Sequence, residues 1–193
     1  MYITDAQTFY VQLKNQEKII CLPPSNEFIN VLIGFCSARS PKTVFGKINL
    51  VKRFIKSCVE LGVVGKLKVG FKFFKSGIAS MYDDGKIVFY KDFLFKQTYI
   101  ESLVATLHEV SHAFLWSSDS YQDLLTCDKE FFDKYVKDSS QTVVCPVEYY
   151  ANQLTLKWLD LAVNNLKDQD RIDKLKDVYN RLEQKILIAK EKV

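Results

Sequence analysis

Thr98-Tyr99-Ile100-Glu101-Ser102-Leu103-Val104-Ala105-Thr106-Leu107-His108-Glu109-Val110-Ser111-His112-Ala113-Phe114-Leu115-Trp116 is the stretch from which the rest of the chain can be read. Its apolar positions, Ile100, Leu103, Val104, Leu107, Val110 or Ser111, and Phe114, have the spacing of a helix with one buried face. Thr98 with Glu101 three residues on is a capping-box signature, so the helix is predicted to begin at about Thr98. Residues four apart lie one turn apart on the same helix face, so His108 and His112 can present two imidazoles to one ion. Glu109 lies about 100° round the axis from His108, close enough to hydrogen-bond a water held by that ion. These are the only 2 histidines among 193 residues, and both fall at the required spacing with Glu in the required place.

Two imidazoles and a following carboxylate in this H-E-x-x-H order are the arrangement of zinc metalloproteases, with the carboxylate as general base. A catalytic zinc generally takes three protein ligands and keeps a fourth position for water. With histidine exhausted, the third ligand must be a carboxylate or a thiolate. An H-E-x-x-H-x-x-G-x-x-H pattern is excluded, because Ser118 stands where its third histidine would fall. The candidates are Glu148, Asp119, Asp123, Cys127 and Cys145. Glu148 has the best position. Pro146 favours the first turn of a helix, and Val147, Ala151, Leu154, Trp158 and Leu161 give that helix an apolar stripe. A glutamate there has little to do in a core unless it is paired or metal-bound. Asp119 is the competitor, but it sits in Ser117-Ser118-Asp119-Ser120, a turn in which Asp has an ordinary capping use.

The whole chain bounds this reading. At 193 residues, with 48% hydrophobic and 13% aromatic residues, it is expected to form one globular domain with a substantial core. No run approaches the roughly 20 apolar residues of a membrane span. Met1 to Lys18 is polar and amphipathic and lacks the apolar region of a secretory signal. The formal charge of +4 is modest and reads as solubility. The 5 cysteines are odd in number and contain no C-x-x-C, which argues against a disulfide framework and for a reducing, cytoplasmic compartment.

Taken in order, Asp5 to Ile20 reads as a helix, and Leu22-Pro23-Pro24 breaks it. Ser25 or Asn26 caps a second helix through Phe28, Leu32 and Phe35, and Ile48 to Leu61 forms a third, closed by Gly62 and Gly65. Lys66 to Phe74 then alternates lysine and apolar residues, a strand with one wet face. Ile78–Tyr82 and Lys86–Tyr90 flank Asp83-Asp84-Gly85, a hairpin turn. A small, mostly antiparallel sheet is therefore expected before the histidine helix. A helix follows Ser120, Lys137 to Gln141 reads as a polar loop, and Ile172, Leu175, Tyr179, Leu182, Ile186 and Ala189 form a short heptad seam. That seam is expected to pack on its own domain.

The segment Thr106 to Phe114, followed by Glu148-Tyr149-Tyr150-Ala151-Asn152-Gln153, resembles the ImmA/IrrE family of small gluzincin metallopeptidases. The resemblance covers roughly residues 66–163. It implies His108, His112 and Glu148 as zinc ligands and Glu109 as the base. It also implies a zincin-like α+β core with the sheet, the H-E-x-x-H helix and the Glu-bearing helix (66–163), to which the residue pattern adds N-terminal helices (1–65) and a C-terminal helix (164–193) outside the resemblance. Ala79 to Val88 is similar to the hairpin that precedes the active helix in gluzincins. It implies that Ala79, Ser80 and Met81 form the edge that pairs with substrate. Ser111 departs from the glycine common in that family, and no helix-turn-helix module accompanies the domain. The segment Thr106 to Trp116 also resembles SprT-type proteases, whose further histidine is absent here.

The expected activity is zinc-dependent peptide hydrolysis, with Tyr149 or Tyr150 as candidate oxyanion donors. The expected partner is a protein or peptide substrate, with a regulatory protein as an option; no membrane and no nucleic acid are expected, and the chain is expected to be a monomer. Two other readings use the same residues: a catalytically silent regulatory or toxin–antitoxin or repressor partner, and a nucleic-acid-associated regulator favoured by Lys66, Lys68 and Lys72.

Overall fold

The computed structural model describes residues 25–82, 84–117, 121–137 and 139–191. The expected helix Asp5–Ile20, together with Asp119, lies outside the described residues. The described chain is α+β. In order it forms α1 (Asn26–Ser37), α2 (Val44–Glu60), β1 (Lys68–Lys72), β2 (Ala79–Tyr82), β3 (Lys86–Tyr90), α3 (Lys91–Phe95) and α4 (Tyr99–Trp116). α5 (Tyr121–Tyr135), a 3-10 segment (Ser139–Val144), α6 (Pro146–Asn165) and α7 (Gln169–Glu191) follow. The 3-10 segment stands where a polar loop was expected.

The sheet corrects one expectation: it is mixed, not mostly antiparallel. Its order is β1-β3-β2, with β1 parallel to β3 and β2 antiparallel to β3. The reason lies in β3. Ile87, Val88, Phe89 and Tyr90 are all buried, and a strand covered on both faces takes the centre of a sheet. It therefore separates β1 from β2. The hairpin itself forms as expected: Tyr82 accepts from Gly85 N–H at 3.1 Å, and Gly85 supplies the left-handed φ of 71° that closes the loop.

β2 is left as an edge strand. Tyr90 donates to the carbonyl of Ile78 at 2.8 Å, which makes Ile78 and Tyr90 a hydrogen-bonded pair. Because such pairs alternate along an antiparallel ladder, Ser80 and Val88 form the next one. The backbone groups of Ala79 and Met81 then face away from β3, toward the open edge.

α3 was not foreseen. Lys47 makes this short helix possible, since its ammonium donates to the carbonyls of Phe93 (3.1 Å), Leu94 (3.4 Å) and Gln97 (3.1 Å) at the helix's C-terminal end. Phe93 and Leu94 anchor it in the core. α4 starts as predicted, with Thr98 and Glu101 forming the complete capping box. It is buried more widely than a one-faced helix, because α6, α7, α2 and β2 all pack on it. Its small polar residues fit that burial. Ser102, Thr106 and Ser111 return their hydroxyl protons to carbonyls four residues back, at 2.9, 2.7 and 2.9 Å.

Two apolar clusters meet along α4 and α6. The larger holds Phe28, Phe35, Phe54, Phe89, Leu107 and Trp158. The smaller holds Leu115, Leu124, Phe131 and Val144 together with the tyrosines that follow Glu148. Leu175 of the heptad seam enters the first, and Ile186 and Ala189 enter the second, so α7 packs on its own chain as expected.

Candidate metal centre

His108 and His112 leave α4 on one face, their rings 4.6 Å apart between centroids and nearly perpendicular. Their Nε2 atoms stand 3.0 Å apart. Glu148, in the first turn of α6, turns one oxygen to each: Oε2 is 3.3 Å from His108 Nε2, and Oε1 is 3.2 Å from His112 Nε2. Donors about 2.0–2.1 Å from a tetrahedral zinc are separated from one another by about 3.3–3.4 Å. The three residues are thus spaced as the corners of one coordination sphere, and this group could hold a metal ion. Among the five candidates for the third ligand, the structure describes the side chains of Glu148, Cys127 and Cys145, and Glu148 is the one gathered with the histidines.

The electrostatics of the cluster are strongly coupled. Burial pushes the Glu148 carboxyl up, but the two imidazoles beside it overrule this and hold it far below the usual carboxylate range. Burial pushes His108 down, and the Glu148 carboxylate, helped by Glu109, more than offsets it and favours the imidazolium. Glu109 goes the other way: burial raises it, against the pull of His108 and His112. Its side chain is 6% exposed, and Oε2 is buried with no hydrogen-bond partner in the structure. A buried carboxylate oxygen without a donor is costly.

His108, Glu109 and Glu148 line one cavity of about 430 Å³, whose walls include Ala79 of the edge strand and Asn152 of α6. Asn152 is buried and donates to the Val143 carbonyl at 3.2 Å, fixing the 3-10 segment against α6 one turn from Glu148.

Two expected donors stand elsewhere. Tyr149 and Tyr150 are each 3% exposed, packed in the smaller apolar cluster, and neither lines this cavity. Ala79 lines it, while Ser80 and Met81 continue the same edge strand beyond it.

The structure adds a residue that the sequence reading missed. Asp128 of α5 accepts the Val147 N–H at 2.9 Å through Oδ1, capping α6 from another helix immediately beside Glu148. A signal was available: Cys145, at the N-cap of α6, makes no side-chain cap bond, which leaves that helix start to be satisfied from outside. Among the described residues no thiol joins the group. Burial pushes Cys145 up to about 12, so it stays protonated at neutral pH.

No known family model, curated protein or solved structure matches the chain.

Replacing Glu148 by Ala is expected to weaken zinc binding roughly a hundredfold or more, since even residues that merely support a ligand are worth ten- to a hundredfold. Cys145→Ser is expected to leave it within about threefold. Calorimetric titration of the metal-free proteins, with melting curves to verify folding, checks both; equal affinity in wild type and Glu148→Ala would remove Glu148 from the site.

Proposed function

We propose that the protein is a zinc-dependent metallopeptidase of the gluzincin type, with His108, His112 and Glu148 as ligands and Glu109 as general base. The observation that carries this reading is the gathering of those three donors beside a buried, unpartnered glutamate oxygen in a cavity walled by an open strand edge. The donor set fits zinc, which accepts imidazole nitrogen and carboxylate oxygen together. The resemblance of the same residues to the ImmA/IrrE pattern supports it independently of the geometry. A zinc ion held there supplies a Lewis acid for the peptide carbonyl and acidifies the attacking water.

The remaining work falls to the chain. Glu109 takes the proton of the attacking water as its oxygen adds to the peptide carbonyl carbon. It returns that proton to the amine nitrogen when the carbon–nitrogen bond breaks. Burial raises its proton affinity, which suits a group that must both accept and release a proton near neutral pH. The Ala79 and Met81 backbone groups face outward at the edge of β2, where an extended peptide can add as a further strand.

Two outcomes check this reading. Glu109→Gln is expected to keep one zinc per chain and the melting behaviour of the wild type, while peptide cleavage falls by about two to four orders of magnitude. Mass spectrometry of a peptide mixture incubated with each zinc-loaded protein measures it. Cleavage that survives in Glu109→Gln, or that is absent from wild type, counts against the enzyme. Ala79→Pro removes an outward N–H and is expected to reduce cleavage far more than stability, whereas Ser80→Pro removes a bond to β3 and should lower both. Equal stability losses in urea would show that the edge register has been misread.

A further inference from the structure

The wall that α7 gives to the cavity carries two cations, Arg181 and Lys185, four residues apart and so on one helix face. Their situations differ. Arg181 is committed: it pairs with Asp177 at 3.1 Å and approaches Glu101 at 3.9 Å. Lys185 is exposed and makes no ion pair among the described residues.

Their positions along the cavity follow from the helices. The approach of Arg181 to Glu101 sets that turn of α7 beside the N-terminal turn of α4. Lys185 stands one turn further on, about 6 Å along α7, and lines the same cavity as His108, Glu109 and Glu148.

Two of the acids lining this cavity are engaged, and the third is buried. Glu101 closes the capping box, with its Oε2 accepting from Thr98 N–H at 2.8 Å and from the Thr98 hydroxyl at 2.9 Å. Glu148 is held by the two imidazoles, and Glu109 is buried behind them. Much of the rest of the lining is apolar, with Ile78, Ala79, Val104, Ala105, Val178 and Leu182 among it. A cleft walled in this way, with one uncommitted ammonium in its lining, discriminates by charge. It favours an occupant that brings its own carboxylate.

We propose that Lys185 binds a carboxylate of the substrate, so that the cleft prefers peptides presenting an acidic group close to the bond that is cut. This rests on the peptidase reading above. The carboxylate is either an Asp or Glu side chain or the free C-terminus of the peptide, and Lys185 receives both by the same charge-assisted hydrogen bond. A peptide added to the edge of β2 lies in the cavity that α7 also walls, which brings its side chains or its end within reach of the long lysine.

The test uses matched ten-residue peptides carrying Glu, Gln or Lys at a position scanned along the chain, each with a free or an amidated C-terminus. For wild type the ratio of kcat/KM between the Glu and Gln peptides, or between free and amidated ends, is expected to be roughly three- to tenfold at low salt. It should shrink as salt is raised. Which pair shows the ratio decides between side chain and terminus. In Lys185→Gln the ratio is expected to fall toward one, and in Lys185→Glu the Lys peptide should become the preferred one.

A ratio is insensitive to loss of folded protein, and the same ranking is read without turnover from the Kd of each peptide for zinc-loaded Glu109→Gln. Cleavage with no preference in wild type, or a preference unchanged in Lys185→Gln, overturns the inference and leaves the peptidase reading standing. No cleavage of any peptide overturns both.

Discussion

The hydroxyls of Ser111 on α4 and Thr155 on α6 lie 3.1 Å apart in the core, each also within hydrogen-bond reach of a carbonyl one turn back in its own helix, so two protons are shared among three contacts. Residues this small let the two helix axes approach closely, and Ala151, with no exposed surface, lies in the same seam. The gathering of His108, His112 and Glu148 depends on that approach. Two histidines four apart are brought together by the helix alone, whereas Glu148 follows His112 by 36 residues and reaches them only if α6 lies tight against α4. Asp128 and Asn152 then hold the first turn of α6 and the 3-10 segment before it, so that Glu148 emerges at the level of the histidines.

The seam gathers groups that would not stay together by themselves. Burial, with the nearby Glu148 carboxylate, raises the proton affinity of Glu109, whereas the two imidazoles hold Glu148 well below the usual carboxylate range against its own burial. Proteins concentrate such local conflicts at sites where chemistry is done, and the surrounding consistent packing holds them in place. Here the packing is aromatic and well ordered: Phe35 stacks on Phe54 at 4.0 Å, and Trp158 of α6 meets both Phe28 and Phe114. A cation held by these residues would relieve the conflict, and its binding would then add to folding stability.

Much of this was legible in the sequence where the cause is local. The capping box at Thr98, the histidine spacing, Pro146 at a helix start and Gly85 at a turn each act within a few residues, and each stands where it was expected. What escaped depends on distant partners. The parallel pairing of β1 with β3 follows from the depth at which Ile87 to Tyr90 are buried, which no local pattern of lysines reveals. α3 needs Lys47, from a helix more than forty residues earlier, at its C-terminal end. Tyr149 and Tyr150, which follow Glu148 directly in sequence, could be read either as oxyanion donors or as core residues. On a helix, neighbours point different ways, and both turn into the core while Glu148 faces the cavity.

X-ray absorption at the zinc edge of the reconstituted protein tests the central assignment most directly, because it reads the atoms around the ion rather than the consequence of changing them. The account predicts two imidazole nitrogens and carboxylate or water oxygen at about 2.0–2.1 Å, with no sulfur in the shell. It also predicts that the imidazole signature disappears in the His108→Ala, His112→Ala double variant. A zinc–sulfur distance of about 2.3 Å, or a spectrum unchanged by loss of both histidines, would contradict it.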